Sequence, residues 1–268
     1  MVITSPNNPR IKHVVKLRER RQRERDGLML IEGCDEISLA LANGIRLHTV
    51  FFCPPLSRPT PRAALLEKAD QSGAELVEVS PSVFEKMAYR ENPDGWLAVA
   101  PALRRRLADL TLSPNPLLVV AEAVEKPGNL GAILRSADAA GVDGVIICDP
   151  ATDANNPNVV RASRGTLFTV QVAEAAGAEA LAWLRERGIR IAAATPGAAL
   201  SYGAADLRGP VAIAVGAEDE GLSRLWLENA DLAVRIPMLG KVNSLNVATA
   251  ATVILFEAIR QRSVTSDE

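Results

Sequence analysis

Four stretches of this chain each carry at least four consecutive apolar residues: LLVVAEAV from Leu117, GVIICD from Gly144, IRIAAAT from Ile189 and VAIAVGAE from Val211. A strand with one face in water alternates apolar and polar residues. One that is apolar throughout needs cover on both faces, as a central strand of a parallel sheet does. A fifth stretch, DLAVRIP from Asp231, ends in proline, and helical patterns separate the strands at NLGAILRSADAAG, GAEALAWLRERG and LSRLWLENA. A last helix is expected from about Ser244 to Arg262. Strand and helix in alternation predict an α/β fold with a parallel sheet for the second half of the chain.

The first hundred residues alternate on a smaller scale, with strands at RLHTVFF, ELVEVS and GWLAVA and helices at CDEISLALANG and PRAALLEKADQSG. They form a second, compact α/β unit. Pro101–Pro116 carries three prolines and three consecutive arginines, so the chain divides into residues 1–105, a linker at 106–116 and a larger domain at 117–268. In front of everything lies a basic stretch, Arg10, Lys12, Lys16, Arg18, Arg20, Arg21, Arg23 and Arg25, with Ile11, Val14, Val15 and Leu17 as a narrow apolar stripe. It reads as one basic amphipathic helix. The chain as a whole has a formal net charge of −2, so binding of a polyanion would have to rest on such local clusters, with Arg104–Arg106 as a further one.

With 48% apolar and 23% charged residues, disorder is excluded as the dominant state. Cys34, Cys53 and Cys148 are isolated, odd in number and set in apolar surroundings, which suits buried thiols in a reducing cytoplasm and neither a disulfide framework nor a metal site. No secretory leader or membrane-spanning run is expected.

Three segments could carry chemistry. In VEKPGNLGAILRSADAAG a glycine-bearing turn follows a buried strand and opens a helix, a suitable place for a phosphate-bearing ligand. Its glycines, Gly128 and Gly131, make GxxG and not the GxGxxG of nicotinamide-dinucleotide sites, although Asp149 stands where a ribose-binding acid would be sought. Arg135 is either a solvated arginine or a guanidinium aimed at a phosphate or polarised hydroxyl. In VGAEDEGLS, Glu218, Asp219 and Glu220 cluster after a parallel strand, where they serve a ligand or complement the next helix dipole. In IPMLGKVNSLN, Ser244 is placed to cap the last helix, while Asn243 and Asn246 suit hydrogen bonding to a ligand or to tertiary backbone.

Taken together, PGNLGAILRSADAAGVDGVII, VGAEDEGLS and IPMLGKVNSLNVATAATVILFEA resemble, in order and spacing, the three motifs of the SpoU (TrmH-like) RNA ribose 2′-O-methyltransferases of the SPOUT superfamily. The first unit, with MLIEG and the basic helix, is similar to the ribosomal-protein-like RNA-binding domain of many members. The resemblance implies a deep trefoil knot at the C-terminus, bound S-adenosylmethionine, no metal, and a homodimer whose site draws on both subunits. It implies catalytic roles for Asn129, Arg135, Glu218, Ser244 and Asn246, cofactor contacts at Gly216, Ile236 and Leu245 with Thr195 and Met238 beside them, and RNA contacts along the basic stretch. Where relatives often have Asp before PGN, this chain has Lys126. The short tail after Arg262 tilts the expected substrate from transfer RNA toward ribosomal RNA. A non-catalytic RNA-binding factor with the same fold is the alternative. The resemblance leaves Arg135 two roles: a base in an unusual environment, or a cation that stabilises developing alkoxide.

Overall fold

The computed structural model describes residues 2–57 and 59–264. Its chain forms two compact units. The first takes the chain up to Leu103 together with Asp153–Thr169, and the second takes Arg104–Thr152 together with the chain from Val170 onward.

The first unit opens with helices α1 (Pro9–Lys16) and α2 (Arg20–Asp26), followed by β1 (Leu28–Glu32), α3 (Cys34–Ala42), β2 (Thr49–Phe52), α4 (Pro59–Gln71), β3 (Glu75–Glu78), α5 (Pro81–Met87) and β4 (Trp96–Pro101). Its four strands pair in the order β1-β4-β2-β3, antiparallel except for β2 with β3. The expected single basic helix is thus two. Leu17 and Glu19 flank the break: Leu17 is fully buried in the core formed with Ile11, Val14, Phe51 and Phe84, and Glu19 is extended at the N-cap of α2. Arg23 closes the corner by donating to the carbonyls of Leu17 and Arg18, at 3.2 and 2.7 Å.

The second unit contains β5 (Leu117–Glu122), α6 (Pro127–Ala139) and β6 (Gly144–Cys148). The chain then leaves for the first unit, where it forms the short helix α7 (Pro157–Ala162). It returns with β7 (Val172–Ala175), α8 (Gly177–Glu186), β8 (Arg190–Ala194), β9 (Leu200–Ser201), β10 (Val211–Val215), α9 (Arg224–Asn229), β11 (Leu232–Arg235) and α10 (Val247–Val264). The seven strands pair in the order β7-β6-β5-β10-β8-β11-β9, every pair parallel. As the uninterrupted apolar runs require, β5, β6 and β10 are buried along their whole length. Trp183, Trp226, Leu184 and Leu107 fill the layer on one face, and α10 packs beside α6 and β10.

Several details depart from expectation. The proline-rich stretch is part of the second unit from Arg104, since Leu107 and Leu110 are buried in its core. The edge strands β7 and β9 had no signal, being two to four residues long and partly exposed. The last helix begins at Val247, and its cap is Asn246 and not Ser244: Asn246 Oδ1 accepts from the backbone of Ala248 at 3.0 Å and Thr249 at 3.4 Å. The segment beyond Val264, part of the tail on which the choice of RNA rests, lies outside the described residues.

Candidate active site

A cavity of about 550 Å³ opens at the carboxyl ends of the neighbouring strands β10, β8 and β11. This is the edge where open parallel sheets take ligands, because the loops that leave the strands diverge there. Thr195 follows β8, Gly216 follows β10, and Ile236 and Met238 follow β11. Leu245 and the first turns of α10, at Ala250 and Ile254, complete the wall. All five residues expected at the cofactor therefore line one cavity. Its size is in the range of small-molecule sites.

The loop after β10 is folded tightly onto itself. Ala217 and Gly221 form an isolated antiparallel bridge, with Gly221 N donating to Ala217 O at 3.0 Å. A Cβ on Gly216 would lie 2.1 Å from the carbonyl of Gly221 and 2.3 Å from Leu222 N, so only glycine permits this approach. The turn sends Glu218 toward the start of α6. There its carboxylate accepts from Asn129 Nδ2, from Glu125 N at 3.3 Å and from Lys126 N at 3.4 Å. Burial pushes the carboxyl toward neutrality, but the bonds from Asn129 and from backbone N–H groups outweigh it and hold Glu218 below the usual glutamate range. Dipole complementation of α9 is not its role. That helix has no acid in its first turn, and Ser223 N at its cap donates to Glu122 instead, at 2.8 Å.

Asn246 Nδ2 donates to Asn129 Oδ1 at 3.0 Å. Both ends of the Asn129 amide are thus committed, its nitrogen to Glu218 and its oxygen to Asn246. The three motifs, at residues 129, 218 and 246, meet in one hydrogen-bonded chain at the cavity. Ser244 also lines the cavity, exposed, with Oγ donating to Asn243 Oδ1 at 3.4 Å. Arg135 does not join the group. It is exposed on α6, six residues beyond Asn129, about 9 Å along the axis and a third of a turn around it, and it does not line the cavity.

Asp149 has a structural use: its carboxylate accepts from Gly177 N at 3.0 Å at the start of α8. With no GxGxxG turn and this acid engaged, the dinucleotide reading has nothing left to stand on. Among the described residues no group of histidine, cysteine and acid side chains could hold a metal ion, and no helix is long and apolar enough to cross a membrane.

The basic stretch divides. Lys12, Lys16 and Arg21 are exposed. Arg10 pairs with Glu75, Arg20 with Glu24 and Arg25 with Asp26, all at the surface. Arg18 donates to the carbonyls of Lys86 and Ala88 and lies over the Tyr89 ring. Arg23 is only 2% exposed and pairs at 2.7 Å with Asp153, so it is a buried strut and not part of an RNA-facing surface. A positional pattern of charge could not reveal this, because the partner lies 130 residues away.

These observations define an α/β protein of the open parallel-sheet class, with a ligand cavity at its strand ends and a polar amide–carboxylate cluster at the cavity. The chain matches the SpoU rRNA Methylase family over residues 116–256 and the MRM3-like substrate binding domain over residues 8–98. It belongs to the SpoU methylase family. A crystal structure of an RNA 2′-O ribose methyltransferase is 42% identical to it, with a TM-score of 0.84, over 98% of this chain and 100% of the other. The SpoU methyltransferase AviRb of Streptomyces viridochromogenes, in complex with its cofactor AdoMet, is 30% identical with a TM-score of 0.89, over 96% and 99% of the two chains. The 23S rRNA (guanosine-2′-O-)-methyltransferase RlmB of Ralstonia nicotianae is 38% identical over 205 residues, 74% of this chain and 82% of that one.

Proposed function

We propose that this protein transfers a methyl group from S-adenosylmethionine to a ribose 2′-hydroxyl of structured ribosomal RNA, in the cytoplasm and as a homodimer. The observation that carries the reading is the Asn129–Glu218–Asn246 chain beside a cavity whose walls fit the cofactor. Buried Leu222, Val234 and Ile254 offer an apolar surface, and the backbone at Thr195, Gly216 and Ile236 offers polar groups. Such a lining suits a ligand that is part heterocycle and part zwitterion. When bound, the cofactor supplies a methyl group already activated on a sulfonium, so the protein's task is alignment, exclusion of water and management of one proton.

Glu218 is a positioning residue in this scheme. Its carboxylate is lowered in pKa and engaged by three N–H donors, which makes it a poor proton acceptor and a firm anchor for Asn129. Asn129 and Asn246, fixed by each other, orient the substrate ribose, with Ser244 at the exposed side of the cavity. Arg135 serves the site of a second protomer, presented by the exposed face of α6. Exposure of Leu239 (100%), Val242 and Phe256 in the single chain supports burial of this region by a second copy. The C-terminal knot belongs to the same proposal, supported by the return of the chain after β11 to pack α10 on α6. Ribosomal RNA is favoured because the likeness to RNA and rRNA methyltransferases extends through the substrate-binding unit.

Purified protein incubated with methyl-tritiated S-adenosylmethionine and deproteinised ribosomal or transfer RNA, followed by mapping of 2′-O-methyl positions, tests the reading. Incorporation into ribosomal RNA is expected, and no incorporation into either RNA overturns it in favour of a non-catalytic binding factor. The pH profile of Arg135→Lys decides the role of that residue: near-full activity excludes a special arginine base.

A further inference from the structure

A polyanion that delivers a ribose to this cavity meets an acidic rim. Glu218, Asp219 and Glu220 line it from the loop after β10, against two cations, Lys126 and Arg235. Of these, Lys126 is the one attached to the amide–carboxylate chain. It is the N-cap residue of α6, three positions before Asn129, and its own backbone N–H rests on Glu218 Oε1. Its side chain is exposed, and no ion pair to it exists among the described residues. Apart from its chain neighbours and the backbone of α6 itself, nothing lies within 4 Å of where a Cβ on Gly128 would be, so the turn that follows Lys126 is open on that side.

We infer that Lys126 is a substrate-positioning residue, which grips a phosphate flanking the target ribose. A lysine side chain is a point charge on a flexible stem, suited to a phosphate whose exact position varies and unsuited to reading a base. A ribose held by Asn129 and Asn246 brings its neighbouring phosphates within reach of such a stem rooted three residues away. The same charge offsets repulsion between the RNA backbone and the acidic loop. This rests on the methyltransferase reading of the cavity. The competing partner for the ammonium group is the carboxylate of the cofactor itself, and the experiment separates the two.

Lys126→Ala, Lys126→Arg and wild type are compared for methyl transfer to deproteinised ribosomal RNA over a range of salt concentrations, with binding of S-adenosylmethionine measured by calorimetry. Lys126→Ala is expected to raise KM for RNA about three- to tenfold and to reduce the salt slope of RNA binding by about one, with cofactor affinity unchanged. Lys126→Arg should restore most of the RNA affinity and the salt slope. Unchanged KM and slope in Lys126→Ala overturn the inference, and so does a loss confined to cofactor affinity. Failure of wild type to methylate any RNA would instead remove the function on which the inference stands.

Discussion

Two sets of carboxylates in the molecule are held in opposite ways. In the substrate-binding unit, Asp153 is closed by the guanidinium of Arg23 and Glu36 by that of Arg90, each at 2.7 Å. Burial also pushes Glu32 and Glu36 upward in pKa, despite the donors around them. At the cavity, Glu218 is held by an amide and two backbone N–H groups and stays below the usual range. A guanidinium cancels the charge it binds, whereas neutral donors fix a carboxylate and leave its field intact. Asp153 and Glu36 thus serve to tie elements of the first unit together, and Glu218 keeps its charge at the cavity.

The largest effect that could break this contrast is on Arg23. Arg23→Met should cost about 3–5 kcal/mol of stability in denaturant titration, because Asp153 is left buried and uncompensated. Weakened RNA binding by the folded protein, with stability unchanged, would return Arg23 to the RNA surface. Substitution of Gly216 comes next. Gly216→Ala should cost about 1–3 kcal/mol and abolish saturable S-adenosylmethionine binding in calorimetry, as the added Cβ meets the Gly221 backbone at 2.1 Å and displaces Glu218. Gly128→Ala, where nothing lies within 4 Å, is the control and should keep its melting temperature.

The smallest effect is in pH dependence, where Glu218 and the more deeply buried Glu32, which also accepts from backbone N–H groups, have opposite signs. The lowered Glu218 contributes stability that is present above the unfolded value near 4.5 and is lost as pH falls through its folded value. The raised Glu32 contributes stability that is present below 4.5 and is lost as pH rises through its folded value. In urea titrations from pH 3 to 7, Glu218→Gln should therefore flatten the decline on the acid side. Glu32→Gln should reduce the decline above pH 4.5, and equal changes from both would erase the distinction between these two carboxylates.

The central strands were legible because burial on both faces leaves an uninterrupted apolar run, as in β5, β6 and β10. The edge strands β7 and β9 were not, since short, half-exposed strands carry no such demand. At the site, motif order brought Asn129, Glu218 and Asn246 together, and the structure ties them by direct hydrogen bonds. The cap of α10 is Asn246, two residues after Ser244, the candidate that sequence favours, because Ser and Asn compete for that place on equal terms and only the backbone path decides. Arg23 and Asp153 were opaque for another reason. Their bond joins positions 130 residues apart, a separation that no local pattern encodes.

The excursion of Asp153–Thr169 bears on how such a protein can be taken apart or recombined. Val159, Val160, Ser163 and Leu167 are buried, and Gly165 abuts Leu39 so closely that a side chain there would meet it at 2.8 Å. The polypeptide therefore passes between its units three times, at residues 103–104, 152–153 and 169–170. A chimera that exchanges only the first hundred residues with a relative would pair a foreign surface with this native peg. Grafting a new RNA preference onto the methylase half takes two inserts, not one.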